Sequence, residues 1–90
     1  MNRAYLTQLV DELASYKSRK DLEDFLRGIL TSKELDEISA RLQIVKMLKK
    51  GVPQHQIAEK LGVGIATVTR GSKEIAQGRF KTVTPSSSWR

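Results

Sequence analysis

Two arginines in the sequence occupy positions suited to binding a ligand. Arg41 interrupts an apolar helical stripe, and Arg70 follows the short run of small and β-branched residues 65–69. A guanidinium plane stacks on aromatic rings, and its fork of N–H donors pairs with a carboxylate. The two positions are therefore places between which a ligand could wedge, and the chemistry of arginine suits either group. The alternatives are a stray charge on an otherwise buried helix for Arg41 and a plain phosphate contact for Arg70, which is compatible with ligand binding.

Other kinds of site find little support in the composition. The absence of Cys and the presence of a single histidine, His55, argue against a disulfide framework and a thiolate or multi-histidine metal site. Because no nucleophile–base pair stands out, the sequence predicts neither an enzyme nor a bound prosthetic group. We expect His55 to be an exposed polar residue, the alternative being a pH switch. With no apolar run near ~18 residues and no signal peptide, a cytoplasmic protein without a membrane partner is expected.

The charge of the 90-residue chain is unevenly distributed. Residues 1–40 contain six Lys and Arg against eight Asp and Glu, a net charge of −2. Residues 41–90 contain ten against two, a net charge of +8, which brings the whole chain to +6. Such a basic half favours a polyanionic partner, nucleic acid first and an anionic membrane second. A solvated basic face is the alternative.

Helical periodicity predicts an all-α chain with four or five helices and no strand. Segments 4–16 and 22–30 are each amphipathic. Thr31 and Glu34 have the spacing of a capping box, which opens a helix that runs to about Lys50. That helix carries apolar residues on more than one side, and the chain is short for a stable core, so a homodimer is expected. A small monomeric bundle is the alternative.

Residues 54–73 have the pattern of a helix-turn-helix. Ile57, Leu61 and Val68 are expected to face the core, and Gly62 to supply the positive φ of the turn. The start of the second helix is then left to reach base edges in the major groove of double-stranded DNA. The candidate DNA-binding residues are Gln54, His55, Gly64, Ile65, Ala66, Thr67, Thr69, Arg70 and Lys73. A generic helical hairpin, or a helical adaptor that docks an acidic protein, is the alternative.

Two separated segments resemble the tryptophan operon repressor family. They are the stretch GIATVTRGS at 64–72 and the stretch 30–45, which begins LTSKE and ends RLQIV. The similarity covers about residues 20–78, apart from a one-residue deletion near Pro53. It implies a small, intertwined all-α homodimer that binds operator DNA, takes L-tryptophan as corepressor and controls genes of tryptophan biosynthesis or transport. A constitutive DNA-binding regulator on the same fold is the alternative.

The resemblance also implies roles for individual residues at the effector site. Arg41 and Arg70 would enclose the indole ring, and Arg70 and Thr31 would meet the carboxylate. The backbone carbonyls of Gly28 and Leu30 would accept from the ammonium. The slot would be lined by Val45, Thr67 and Gly71, and Glu74 is a further candidate beside the ammonium.

The chain departs from the family pattern at several positions. Glu74 stands where the family has a Ser near the ammonium, and its carboxylate either pairs with the ammonium or sits in solvent. His55 replaces a base-reading arginine, and Ala58 and Ala76 replace lysines that contact phosphate.

Residues 1–78 are expected to form the DNA-binding domain. Residues 79–90 show no helical period where the family has its last helices, and a flexible tail is expected there.

Overall fold

The structure, a computed structural model, describes residues 1–85, and all of their regular structure is helical. The five helices are α1 (Arg3–Ser15), α2 (Arg19–Ile29), α3 (Ser32–Lys50), α4 (Gln54–Leu61) and α5 (Ile65–Ala76). No strand occurs in that range, which confirms the predicted all-α class. None of its helices combines the length and the hydropathy that crossing a bilayer requires. The last part of the predicted tail, residues 86–90, lies outside the described residues.

The first of two compact units comprises Met1–Leu35 and contains α1, α2 and the first residues of α3. The apolar pattern predicts that α2 begins at Leu22, but the helix begins at Arg19. The reason is a cap: Ser18 Oγ accepts a hydrogen bond from the backbone N–H of Asp21 at 3.3 Å. A capping side chain satisfies a donor that the helix leaves without an internal partner, so the helix starts before its apolar face does.

The predicted capping box at the start of α3 is confirmed. The backbone N–H of Thr31 donates to Glu34 Oε1 at 2.9 Å, and the backbone N–H of Glu34 donates to Thr31 Oγ1 at 3.1 Å. The bond from the Thr31 N–H holds the pKa of the Glu34 carboxyl below its ordinary value, because it favours the charged form. These two bonds determine where the longest helix begins.

The second unit, Asp36–Arg90, contains the core that joins the last three helices. Ile44 and Met47 of α3 pack with Ile57 of α4 and Val68 of α5, and the last two side chains are fully buried. The partly buried side chains around this cluster are Leu48, Val52, Ala58, Leu61 and Val63. The residues expected to anchor the helix-turn-helix therefore do so, and α3 is the helix against which it packs.

Two glycines permit the close packing of this unit. Gly62 ends α4 in the left-handed conformation, with φ +67°, as predicted. Gly71 in the middle of α5 faces α3: a Cβ added there would lie 3.3 Å from Ile44 Cγ2 and 3.4 Å from Leu48 Cδ1. The backbone of α5 thus approaches the side chains of α3 more closely than a larger residue would allow.

The chain after α5 turns back toward α3. Residues 77–82 form turns, and Lys49 Nζ donates to the carbonyl oxygens of Phe80 at 2.6 Å and Lys81 at 3.2 Å. It also donates to the carbonyl of Val83 at 2.5 Å. The described part of the expected flexible tail is therefore bound to α3 by a lysine. The sequence gives no sign of this contact, because any residue can provide a backbone carbonyl.

Candidate ligand pocket and nucleic-acid interface

A pocket of about 580 Å³, which we call the α3–α5 pocket, opens on the second unit. It is lined by Arg41, Ile44, Val45, Ala66, Thr67, Arg70, Gly71, Glu74, Arg79 and Phe80. The two arginines singled out in the sequence therefore line the same pocket. Four more of the predicted effector residues also line it: Val45, Thr67, Gly71 and Glu74. The volume is in the range of pockets that hold small organic ligands.

The guanidinium of Arg41 is only weakly held by the protein itself. Its Nη2 lies 3.9 Å from Oε2 of Glu37, one turn earlier in α3. Both side chains are about half exposed, at 57% and 47%, and such surface pairs contribute little to stability. Arg41 also lines a smaller depression of about 390 Å³ that contains Asp36 and Glu37. The guanidinium is thus available to a ligand that competes with these carboxylates.

Glu74 gives the α3–α5 pocket an acidic group whose charge is incompletely satisfied. Within residues 1–85, Oε2 of Glu74 is buried and accepts no hydrogen bond. Arg79 Nε lies 3.8 Å from it, which is an ion-pair distance but is too long for a hydrogen bond. A buried acceptor without a donor costs on the order of 1–3 kcal/mol. The Glu74 side chain is 37% exposed, so a turn of its carboxylate toward the pocket would let a ligand N–H donor remove that cost.

Three of the predicted effector residues belong to the first unit. Gly28 is near the end of α2, Leu30 caps that helix, and Thr31 precedes α3. The Thr31 hydroxyl accepts a hydrogen bond from the Glu34 N–H in the capping box, and its contact with the Glu34 carboxylate also lowers the pKa of that carboxyl. The effector roles of these three residues stay predictions.

Sequence reasoning did not identify every lining residue of the α3–α5 pocket. Arg79 and Phe80 lie in the segment expected to be a flexible tail, Ala66 is a candidate for DNA contact alone, and Ile44 carries no predicted site role. One signal was available: Phe80 is an aromatic residue in a mostly polar segment after the last predicted helix. A partly exposed aromatic ring at such a place is compatible with a ligand contact.

The helix-turn-helix presents the start of α5 to solvent. Most of the predicted DNA contacts are exposed: His55, Gly64, Ile65, Ala66, Thr67, Arg70 and Lys73. The other two bind each other, since Thr69 Oγ1 donates to Gln54 Oε1 at 2.8 Å and so joins α4 to α5. Ile65 is an apolar side chain that is 50% exposed at the first turn of α5, a position from which a thymine methyl can be contacted.

The candidate interface and the α3–α5 pocket share residues. Ala66, Thr67 and Arg70 line the pocket and are exposed on the first half of α5. A ligand in the pocket would therefore touch the same helix that presents the candidate base contacts. Such an arrangement allows ligand binding to alter the position of α5.

Comparison with known proteins agrees with this architecture. A family described as Trp repressor protein matches residues 4–83. The chain is similar to the Trp operon repressor homolog of Vibrio campbellii, with 41% identity over 69 residues, 76% of this chain and 69% of that protein. It is also similar to the homolog of Actinobacillus succinogenes, with 44% identity over 59 residues, 64% of this chain and 57% of that protein. No solved structure gave a significant match. Because the family match extends over nearly the whole chain, this protein belongs to the Trp repressor family of transcriptional repressors.

Proposed function

We propose that this protein represses transcription by binding double-stranded operator DNA when L-tryptophan occupies the α3–α5 pocket. The observation that supports this most is that Arg41, Arg70 and Glu74 line one pocket that includes part of the exposed face of α5. Membership of the Trp repressor family supports genes of tryptophan biosynthesis or transport as the target. A repressor of this kind acts on the chromosome, so we also propose the cytoplasm as its location.

The chemistry of the pocket suits an aromatic amino acid. Arg41 and Arg70 offer planar cations for the two faces of an indole ring, and Arg70 also offers a donor fork for the carboxylate. Ile44 and Val45 supply an apolar wall, and the carboxylate of Glu74 supplies an acceptor for the ammonium. The place of Glu74 in the pocket lining favours ammonium pairing over the alternative in which the carboxylate simply sits in solvent.

DNA binding is proposed for the first half of α5. Its exposed side chains would enter the major groove, while the net charge of +8 over residues 41–90 would attract phosphates. A ligand wedged between α3 and α5 would favour one arrangement of α5. If only that arrangement fits DNA, the ligand must raise DNA affinity, and DNA must raise ligand affinity by the same factor.

A homodimer is proposed because operators of this type are read as two half-sites. Helix-turn-helix dimers, the Trp repressor among them, place their recognition helices about one DNA turn, ~34 Å, apart. In the single chain, several apolar side chains of α1 and α3 are exposed: Leu6, Leu9, Val10, Ile38 and Leu42. Pairing two chains through these helices would cover them. We propose that Gly28, Leu30 and Thr31 then complete the effector site of the other chain.

Selection of duplexes from a random library, with saturating L-tryptophan present, tests this function. The expected outcome is enrichment of a palindromic sequence, bound with an affinity that falls steeply as salt rises. Calorimetry should show L-tryptophan binding to the protein alone. DNA binding without tryptophan binding would favour the constitutive regulator. Failure to bind duplex DNA at any salt concentration would favour a helical adaptor and contradict the proposal.

A further inference from the structure

Residues 79–84, which we call the strap, form part of the pocket wall although they follow the last helix. Arg79 and Phe80 line the α3–α5 pocket. The strap is attached to α3 through lysine ammonium groups: Lys49 Nζ binds carbonyls along the strap, and Lys46 Nζ donates to the carbonyl of Thr84 at 3.1 Å. The segment is therefore held by polar contacts to its backbone, which fix its course without occupying its side chains.

Phe80 has a backbone conformation that needs a reason. Its φ is +63°, and within residues 1–85 Phe80 is the only residue other than glycine that has a positive φ. A bulky side chain in the left-handed region costs on the order of 1 kcal/mol and persists only where surrounding contacts impose it. The ring is nevertheless 39% exposed, so burial does not fully explain its position. The contacts that impose this backbone are made to the Phe80 carbonyl, by Lys49 Nζ and by the backbone N–H of Val83, and they leave the ring at the pocket wall free to meet a ligand.

We propose that the strap is part of the effector site and that the Phe80 ring packs against the aromatic group of the amino-acid effector. Lys49 is then a positioning residue, because it holds the carbonyl of Phe80 and the strap beyond it against α3. This inference rests on the proposed function and adds a contact from the segment after α5. The effector would meet an aromatic wall in addition to the guanidinium planes of Arg41 and Arg70.

Calorimetric titration of the full chain with L-tryptophan, in variants of Phe80, tests the contact directly. Phe80→Ala should weaken binding roughly three- to tenfold, the range of aromatic pair energies. Phe80→Tyr keeps the ring and should bind within about twofold of wild type. Phe80→Gly should bind as weakly as Phe80→Ala but unfold at a higher temperature than it, because glycine adopts a positive φ without strain. This last pair separates loss of the ring from loss of stability.

Variants of Lys49 test the positioning role. Lys49→Met keeps the length of the side chain but removes the donors, and should weaken L-tryptophan binding roughly threefold, because the ligand must then order the strap. Lys50→Met, at the neighbouring exposed lysine, is the matched control and should have no effect. Lys49→Arg retains donors and should restore most of the affinity. In a Phe80→Ala background Lys49→Met should cost nothing further, since the ring it positions is gone.

Several results would overturn the strap proposal. Unchanged binding in Phe80→Ala would show that the ring is no ligand contact, and tighter binding would show that it obstructs the pocket. An equal loss from Lys49→Met in both backgrounds would show a general structural effect. If the wild-type titration shows no binding of L-tryptophan, both the proposed function and this inference are wrong. Normal wild-type binding with unaffected variants contradicts the strap alone.

Discussion

Arg41 in α3 and Arg70 in α5 line the same pocket, and Arg70 is also exposed on the half of α5 that presents the candidate base contacts. Next to Arg70, Gly71 of α5 faces α3: a Cβ added at Gly71 would lie 3.3 Å from Ile44 Cγ2. A ligand held by both guanidinium groups would therefore contact the supporting helix and the recognition helix at once. This arrangement gives a direct physical route from ligand binding to DNA affinity.

Substitutions at the start of α5 should separate base reading from phosphate attraction. At saturating L-tryptophan, Ile65→Ala and Thr67→Ala should each weaken binding to the selected duplex by about 1–3 kcal/mol, with little change on random duplex. Ile65 is the more direct test, because Thr67 also lines the pocket. Lys73→Ala, the matched control, should weaken both alike and reduce the salt slope by about 1. If Ile65→Ala loses the same affinity for the selected duplex and for random duplex, Ile65 does not read a base.

Gly71→Ala should destabilise the protein although alanine favours helices. The added methyl would meet Ile44 Cγ2 at 3.3 Å, and Ile44 is only 2% exposed, so it has little room to shift. We expect a net loss of about 1 kcal/mol in the free energy of unfolding, measured by chemical denaturation. Gly28→Ala is the control, because its added Cβ has no atom within 4 Å. A stabilised Gly71→Ala protein would contradict the close approach of α3 and α5.

Patterns that depend on a few neighbouring residues allowed much of the fold to be predicted. Ile57 and Val68 stand at helical spacings that identify a buried face, and Gly62 marks a turn because few other residues tolerate its φ. The attachment of the strap through Lys49 could not be predicted, since a lysine that binds carbonyls resembles any solvated lysine in the sequence. The place of Phe80 in the pocket wall depends on that attachment, and its aromatic ring was the one sign of it in the sequence.

The capping box should make stability depend on pH in acid. The lowered pKa of Glu34 means that its charged form stabilises the folded state at pH values above the ordinary glutamate range. That contribution should be lost as the pH falls through the lowered pKa of the folded state. When the free energy of unfolding is measured by denaturation from pH 7 down to about pH 3, it should fall less steeply in Glu34→Gln than in wild type. Glu59→Gln on α4 is the control and should follow wild type. An identical pH profile in Glu34→Gln would contradict this role.

The exposed apolar face of α3 should carry a dimer contact. Ile38 and Leu42 are 45% and 44% exposed in the single chain, and a second chain would bury them. Light scattering at micromolar concentration should give the mass of a dimer for wild type. Leu42→Glu should shift the mass toward that of a monomer, because a charge in an apolar interface is costly. Gln43→Glu places the same charge at the adjacent exposed position and should leave the dimer intact. A monomer mass for wild type would contradict the proposed assembly.

The most direct test of tryptophan-gated DNA binding is a titration of the selected operator duplex with and without saturating L-tryptophan, in wild type and in Arg41→Ala. Wild type should bind roughly 5–150-fold more tightly with the amino acid present, the usual range of such coupling. Arg41→Ala should lose most of that shift while keeping α3 intact, because alanine is the better helix former. Arg70→Ala should lose affinity for both ligand and DNA. If saturating L-tryptophan leaves the wild-type affinity unchanged, the gated mechanism is wrong and the protein binds DNA constitutively.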